Sequence, residues 1–166
     1  AGVIMATYAE LRRSGRDRAI ETCRQPLYET VLSRTDGEAG RRCLDVGCGA
    51  GTFVRLAAGR GWIAVGIDPL ADPVDTAGAR LLRARFPCAD LGAARFDLVT
   101  FFNSLNYLED PFEALRETHR LLRPGGLVVI RVPNASLHRA ILALARRLDG
   151  IIPAAATWLG RLPVLH

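Results

Sequence analysis

Not one lysine occurs in this chain: all 22 basic residues are arginine. That alone excludes a phosphate-binding P-loop, whose pattern needs a lysine amine beside the phosphates. The four cysteines, Cys23, Cys43, Cys48 and Cys88, contain no C-x-x-C pair, and His119, His138 and His166 lack H-E-x-x-H spacing. Neither a secreted disulfide framework nor a metal site is therefore expected. Cys43 and Cys88 stand in apolar, strand-like surroundings and read as buried thiols. A reducing, cytoplasmic location fits them. No apolar run is long enough to span a bilayer, and no signal-peptide pattern opens the chain. No basic tract exists either. The net charge of +5 is scattered, with only pairs such as Arg12-Arg13, Arg41-Arg42 and Arg146-Arg147, so nucleic-acid binding is not expected.

The 166 residues suffice for one domain with a sizeable core, and 49% apolar and 23% charged residues are ordinary for a globular protein. Strands and helices alternate along the chain. Residues 17–33 predict an amphipathic helix, 43–47 a short buried strand, 51–60 a helix, and 62–68 a second strand. Residues 72–82 predict a weaker helix, and "RARFPCADL", 83–91, holds a third strand. A fourth strand is expected at 95–103, a helix from Pro111 to Leu122 with Asp110 as its N-cap, a turn at "RPGG", and a fifth strand at 127–133. Such alternation implies right-handed crossovers and a mostly parallel sheet covered on both faces, an α/β doubly wound, Rossmann-like fold.

The chemistry concentrates in "CLDVGCGAGTF", residues 43–53. Gly47, Gly49 and Gly51 follow a buried strand and lead into a helix, where ligands of such sheets bind. Glycine permits positive φ and lets a ligand lie against the backbone, while the helix start offers free N–H groups. A dinucleotide fingerprint needs a third glycine or alanine at the right spacing. Thr52 or Val54 stands there instead. S-adenosylmethionine carries no phosphate, and its ammonium suits an acid inside the strand, Asp45, which would be costly there unless paired.

The sequence resembles the class I S-adenosylmethionine-dependent methyltransferases, in the small-molecule branch called types 11, 12 and 23. The resemblance covers roughly residues 40–135 and rests on five motifs in order: "LDVGCGAGTF", "VGIDP", "CADL", "FDLVTFFNSLNYLEDP" and "LLRPGGLVVI". It implies that Asp68 accepts from the ribose hydroxyls, that Asp90 accepts from the adenine amino group, and that the Leu91 backbone N–H meets the ring. Pro69 and Leu70 either flank the adenine or merely cover the sheet. Phe101 to Ser104 would line the methionine end, with Asn103 the candidate there. Asn106 and Tyr107 stand where many relatives carry Glu-His, which argues against His-based chemistry at that place. His119 reads as a surface residue, and His138, beyond the fifth strand, reads as a plain helix residue or, as the one candidate of its kind, a general base.

The implied organisation is an N-terminal helical cap at 1–40, a cofactor-binding core at 41–135, and a lid or the start of an incomplete C-terminal region at 136–166. The acceptor would be a small molecule, methylated on O, N or C. Tyr8, Tyr28 and Trp158 are aromatic candidates for its pocket, or plain core. A non-catalytic cofactor-binding module is the rival reading, and a dehydrogenase the third. The family sheet has seven strands and only five are placed here. A fifth strand without the final hairpin would be an apolar edge. A longer chain is therefore expected, or an edge covered by a homodimer partner, a swapped segment or residues 151–166.

Overall fold

The computed structural model describes residues 10, 14, 16–35, 37, 39–88, 91 and 95–132. The elements are α1 (Arg16–Thr35), β1 (Arg42–Val46), α2 (Thr52–Gly59), β2 (Ile63–Ile67), β3 (Val74–Thr76), β4 (Ala79–Leu82), β5 (Phe96–Phe102), a 3₁₀ turn (Leu105–Tyr107), α3 (Pro111–Leu121) and β6 (Leu122–Arg131). All lie in the first of two compact units, Ala1–Arg131. The sheet order is β3-β4-β2-β1-β5-β6, parallel except for the β3–β4 pair. Chain direction reverses on either side of β1, so the carboxyl ends of β1, β2 and β5 surround the crevice where such sheets bind ligands.

Local chemistry accounts for the elements. In α1, Tyr28, Val31, Leu32 and Thr35 recur at helical spacing and are buried. In α3, Ala114, Thr118 and Leu121 do the same. Asp110 caps α3 as expected, accepting from Phe112 N at 2.8 Å and Glu113 N at 3.0 Å, with Pro111 as the first helical residue. All seven residues of β5 are buried, as suits an inner parallel strand. One face of the sheet packs Cys43, Ala64, Leu81, Leu98 and Phe102 against Tyr28 and Leu32 of α1 and Phe53 and Ala57 of α2. The other packs Leu44, Val46, Ile67, Val99 and Phe101 with Ala114 and Leu121 of α3.

Three sequence expectations change. Residues 72–82 form no helix: β3 and β4 are an antiparallel hairpin turning at Gly78, φ 86°. The alternation of buried Ala79 and Leu81 with exposed Arg80 is a strand period, and Gly78 weakens any helix across it. The third parallel strand is therefore 79–82, while 83–88 runs on without sheet pairing. The "RPGG" turn is absorbed into β6, which starts at Leu122 rather than 127 and shifts register opposite Phe96–Leu98, with Gly125 at φ 77°. Cys43 is buried as expected, Cys88 is only half-buried, and His119 is exposed.

Candidate functional site

At the end of β1 the chain turns over the carboxyl end of β2. Gly47 N and Cys48 N both donate to the Ile67 carbonyl, at 2.7 and 3.1 Å. The three loop glycines, φ 78°, 54° and 80°, serve different ends. A Cβ at Gly47 would collide with the Cβ of Ser104, whose Oγ donates a short hydrogen bond to the Val46 carbonyl. A Cβ at Gly51 would lie 2.7 Å from Leu81 Cδ1. Only the Cβ direction of Gly49 is open, with no atom within 4 Å. Close packing within the protein thus demands the outer two, and the middle one borders free space.

Asp68 follows β2 and is half-buried. Its Oδ2 accepts from Gly49 N at 3.1 Å and its Oδ1 from Leu70 N at 2.7 Å. The carboxylate therefore joins two loops, and each oxygen keeps lone-pair capacity beyond these bonds. This is more than a local cap: one of its two donors lies in the glycine loop, 19 residues away.

Asp45 sits inside β1 and is 3% exposed. Its register neighbour Thr100 donates from Oγ1 to Asp45 Oδ1 at 2.8 Å. Burial raises the carboxyl pKa to about 7. The Thr100 hydrogen bond opposes the rise, Glu21 and Asp68 add to it, and Arg24 counters them. Glu21 and Arg24 come from α1, where Arg24 Nη1 meets Glu21 Oε1 at 3.2 Å and Tyr28 donates to Glu21 Oε2 at 3.1 Å. Burial and Glu21 raise the Tyr28 phenol pKa strongly. Tyr28 packs on Phe53 and Phe102, with ring centroids 5.6 and 4.7 Å away, and so is core rather than pocket wall.

Asn103, just past β5, is a non-glycine residue at φ 58° and 2% exposed, and neither atom of its carboxamide has a hydrogen-bond partner. An unsatisfied buried polar group costs about 1–3 kcal/mol, and left-handed backbone adds to that. Both features gather where a ligand completes the structure. Among the described residues, then, the carboxyl ends of the strands hold spare acceptor capacity on Asp68, open backbone at Gly49, and a buried, orphaned amide at Asn103. That set suits a ligand with hydroxyls and an amino-acid tail.

Beside it lies a cleft of about 250 Å³ lined by Val46, Gly47, Ile67, Pro69, Phe86, Tyr107 and the start of α3. Pro69 is in its wall and Leu70 is not among its lining residues. Nor is Phe101: it is wholly buried beneath, its ring 6.1 Å from that of Phe86, and supports the floor. The Leu91 side chain joins the same core. Asp90, His138, Tyr8 and Trp158 lie outside the described residues. Sequence reasoning missed Thr100, Glu21 and Arg24, and had Ser104 only as the end of the Phe101 to Ser104 lining segment, not as the residue that fills the Cβ space of Gly47. Among the described residues, no group of three or more His, Cys, Asp or Glu side chains could hold a metal. No helix among them is long and apolar enough to cross a membrane.

Comparison with known proteins shows the family and the fold. The methyltransferase domain family model matches residues 15–161. A ubiquinone biosynthesis O-methyltransferase of Vibrio vulnificus (strain YJ016) is 30% identical over 135 residues, covering 74% of this chain and 57% of that relative. One of the same name from Paracidovorax citrulli (strain AAC00-1) is 31% identical over 168 residues, covering 90% and 70%. The chain spans little more than half the length of the first of these. Among solved structures, the complex of the Haloferax volcanii Trm112 methyltransferase activator with a methyltransferase aligns with TM-score 0.70 at 21% identity, over 92% of this chain and 75% of that one. A Burkholderia thailandensis 1,6-didemethyltoxoflavin-N1-methyltransferase, with its bound substrate and S-adenosylhomocysteine, gives 0.59 at 21%, over 78% and 59%. At that identity both speak for the fold alone.

Proposed function

The chain belongs to the class I S-adenosylmethionine-dependent methyltransferases, and we propose that it moves the cofactor's methyl group to an O, N or C atom of a small-molecule acceptor. The observation carrying this reading is the Asp68 carboxylate, tied to Gly49 and Leu70 with lone pairs left for two ribose hydroxyls. Gly47, Gly49 and Gly51 form the loop under the cofactor, and Pro69 flanks the adenine. Asp90 and the Leu91 N–H complete the adenine end in this reading, while Asp45 and Asn103 serve the amino-acid tail. The relatives' names favour oxygen as the accepting atom.

When bound, the cofactor supplies a methyl group already activated by positively charged sulfur. The protein's task is then positioning, worth up to roughly 7–11 kcal/mol. Asp68 fixes the ribose, and Gly49 lets the backbone approach. Asp45, balanced near neutrality when alone, ionises when an ammonium comes beside it, because an opposite charge favours the carboxylate. A base is needed only where the acceptor must first lose a proton. His138 is the candidate carried from the sequence.

Calorimetry with S-adenosylhomocysteine and with a reduced nicotinamide dinucleotide tests the assignment. Binding of the first and not the second is expected. Tighter dinucleotide binding would overturn it. Turnover separates catalysis from mere binding: retained cofactor never converted with any acceptor would favour the binding module.

A further inference from the structure

The parallel strands β1, β5 and β6 all begin at the end of the sheet opposite the crevice. Arg42 opens β1, Arg95 immediately precedes β5, and Arg123 is the second residue of β6. With Arg41 they line an open cleft of about 640 Å³, where Asp97 is the one carboxylate among the described residues. Asp97 is nearly buried, its side chain 5% exposed, and its oxygens are occupied. They accept from Arg41 Nε at 3.4 Å and Arg42 N at 2.7 Å, and they pair with Arg123 Nη2. Arg41 is occupied as well: its Nη1 donates to the Thr35 carbonyl at 2.6 Å and its guanidinium lies over the Trp62 ring. Arg42 and Arg95 differ. Among the described residues no carboxylate pairs with either guanidinium. Arg42 lies over the Phe96 ring, 6.0 Å from its centroid, and its Nε has no hydrogen-bond acceptor. Guanidiniums stay charged at any working pH. Four of them against one carboxylate leave a surplus of three positive charges in one cleft, and crowded like charges destabilise the compact state until an anion joins them.

We propose that this cleft is a second ligand site and that it takes a small multivalent phosphate of the pyrophosphate class. The inference goes beyond the methyltransferase reading and does not depend on it. The length of β1, roughly 13 Å at about 3.3 Å per residue, separates Arg42 from the glycine loop. Guanidinium forks match phosphate oxygens and hold them with charge-assisted bonds. Arg42 and Arg123 stand on strands two places apart in the sheet, roughly 10 Å at about 4.8 Å per spacing. A lone carboxylate reaches one of them, whereas linked phosphates carry several negative oxygens across that width and match the surplus charge. The surplus is also confined. Elsewhere on the surface Arg80, Arg83, Arg85 and Arg120 each face an acid, Asp75, Asp72, Glu109 and Glu117 respectively. A nucleic-acid backbone needs a basic track that continues beyond one cleft, so a compact anion is the better match.

The test is calorimetric titration of the full chain with sodium pyrophosphate at about 0.15 M ionic strength, with and without saturating S-adenosylhomocysteine. Saturable binding of equal affinity in both arms is expected, with acetate far weaker. Pyrophosphate should also raise the melting temperature, because it binds the folded chain. Arg95 is exposed, so Arg95→Gln should keep the circular dichroism of the unsubstituted chain while weakening pyrophosphate binding about ten- to a hundredfold. Arg80→Gln removes an equal charge from the β3–β4 hairpin and should leave the affinity unchanged. No saturable binding overturns the proposal, as does acetate binding as tightly as pyrophosphate. Equal losses in Arg95→Gln and Arg80→Gln overturn it too, because net charge alone then attracts the anion. Displacement of pyrophosphate by S-adenosylhomocysteine would put the anion in the crevice and refute a second site. A thymidine oligonucleotide that binds more tightly than pyrophosphate, and loses that affinity in Arg95→Gln, would replace the small ligand with nucleic acid. Failure of S-adenosylhomocysteine to bind would count against the methyltransferase reading alone.

Discussion

Asp68→Ala removes a carboxylate that does two jobs. It aligns the glycine loop through Gly49 N at 3.1 Å and its own loop through Leu70 N at 2.7 Å. In the proposed site its remaining lone pairs take the ribose hydroxyls. Hydrogen bonds to a charged group contribute about 1.5–3 kcal/mol each. Losing the pair to the ribose, with partial compensation by water, should cost about 2–3 kcal/mol of binding, a factor of roughly thirty to 150. Fold stability should fall less, because Asp68 is half-buried and water can reach the two freed N–H groups. The assay is calorimetric titration with S-adenosylhomocysteine and with 5′-methylthioadenosine, alongside circular dichroism and a thermal melt. Both ligands carry the ribose, so both should lose the same factor. An unchanged dissociation constant with normal dichroism would reduce Asp68 to a loop cap. Loss confined to S-adenosylhomocysteine would move it to the amino-acid tail.

The other predictions concern the glycine loop, the buried acid and a cap. Gly47→Ala meets both positive φ and Ser104 and should cost about 2–5 kcal/mol in urea unfolding. Gly49→Ala meets only the backbone term, about 1–2 kcal/mol, yet should impair cofactor binding; equal stability losses would refute the distinction. The folded pKa of Asp45, about 7, lies above its unfolded value of about 3.9, so the folded state holds the proton more tightly. Stability relative to Asp45→Asn should therefore fall as pH rises from about 4 to 7, by up to roughly 4 kcal/mol, and level off above. Parallel urea curves for the two proteins across that window would contradict it. Cofactor affinity should rise over the same window, as calorimetry at several pH values would show. Asp110→Ala removes the α3 cap and should cost about 0.5–2 kcal/mol in a thermal melt.

Much of the fold was legible because its signals are local. The apolar runs of β1, β2 and β5, the Asp110-Pro111 start of α3 and the glycine turn after β1 each carry their own period, cap or breaker. Residues 72–82 failed as a helix because the deciding feature was pairing. Ala79 and Leu81 fit one face of a strand only once β2 lies beside them. The start of β6 failed likewise: its first residues gain strand form by pairing with Phe96, across a shifted register that no local pattern announces.

The site divides along the same line. The sequence by itself determined which residues stand at the strand ends, Asp45, Asp68, Asn103 and the glycines, because strand length and turn chemistry place them there. The tertiary structure alone decided what each does. Gly47 is glycine because Ser104, 57 positions on, occupies its Cβ space. The Asp45 carboxyl pKa is pushed up to about 7 because burial removes its water, against the opposing hydrogen bond that parallel register brings from Thr100. Hydrogen bonds, desolvation and close packing act over a few ångströms, whereas these partners are separated by tens of residues. Only the folded sheet turns sequence distance into contact.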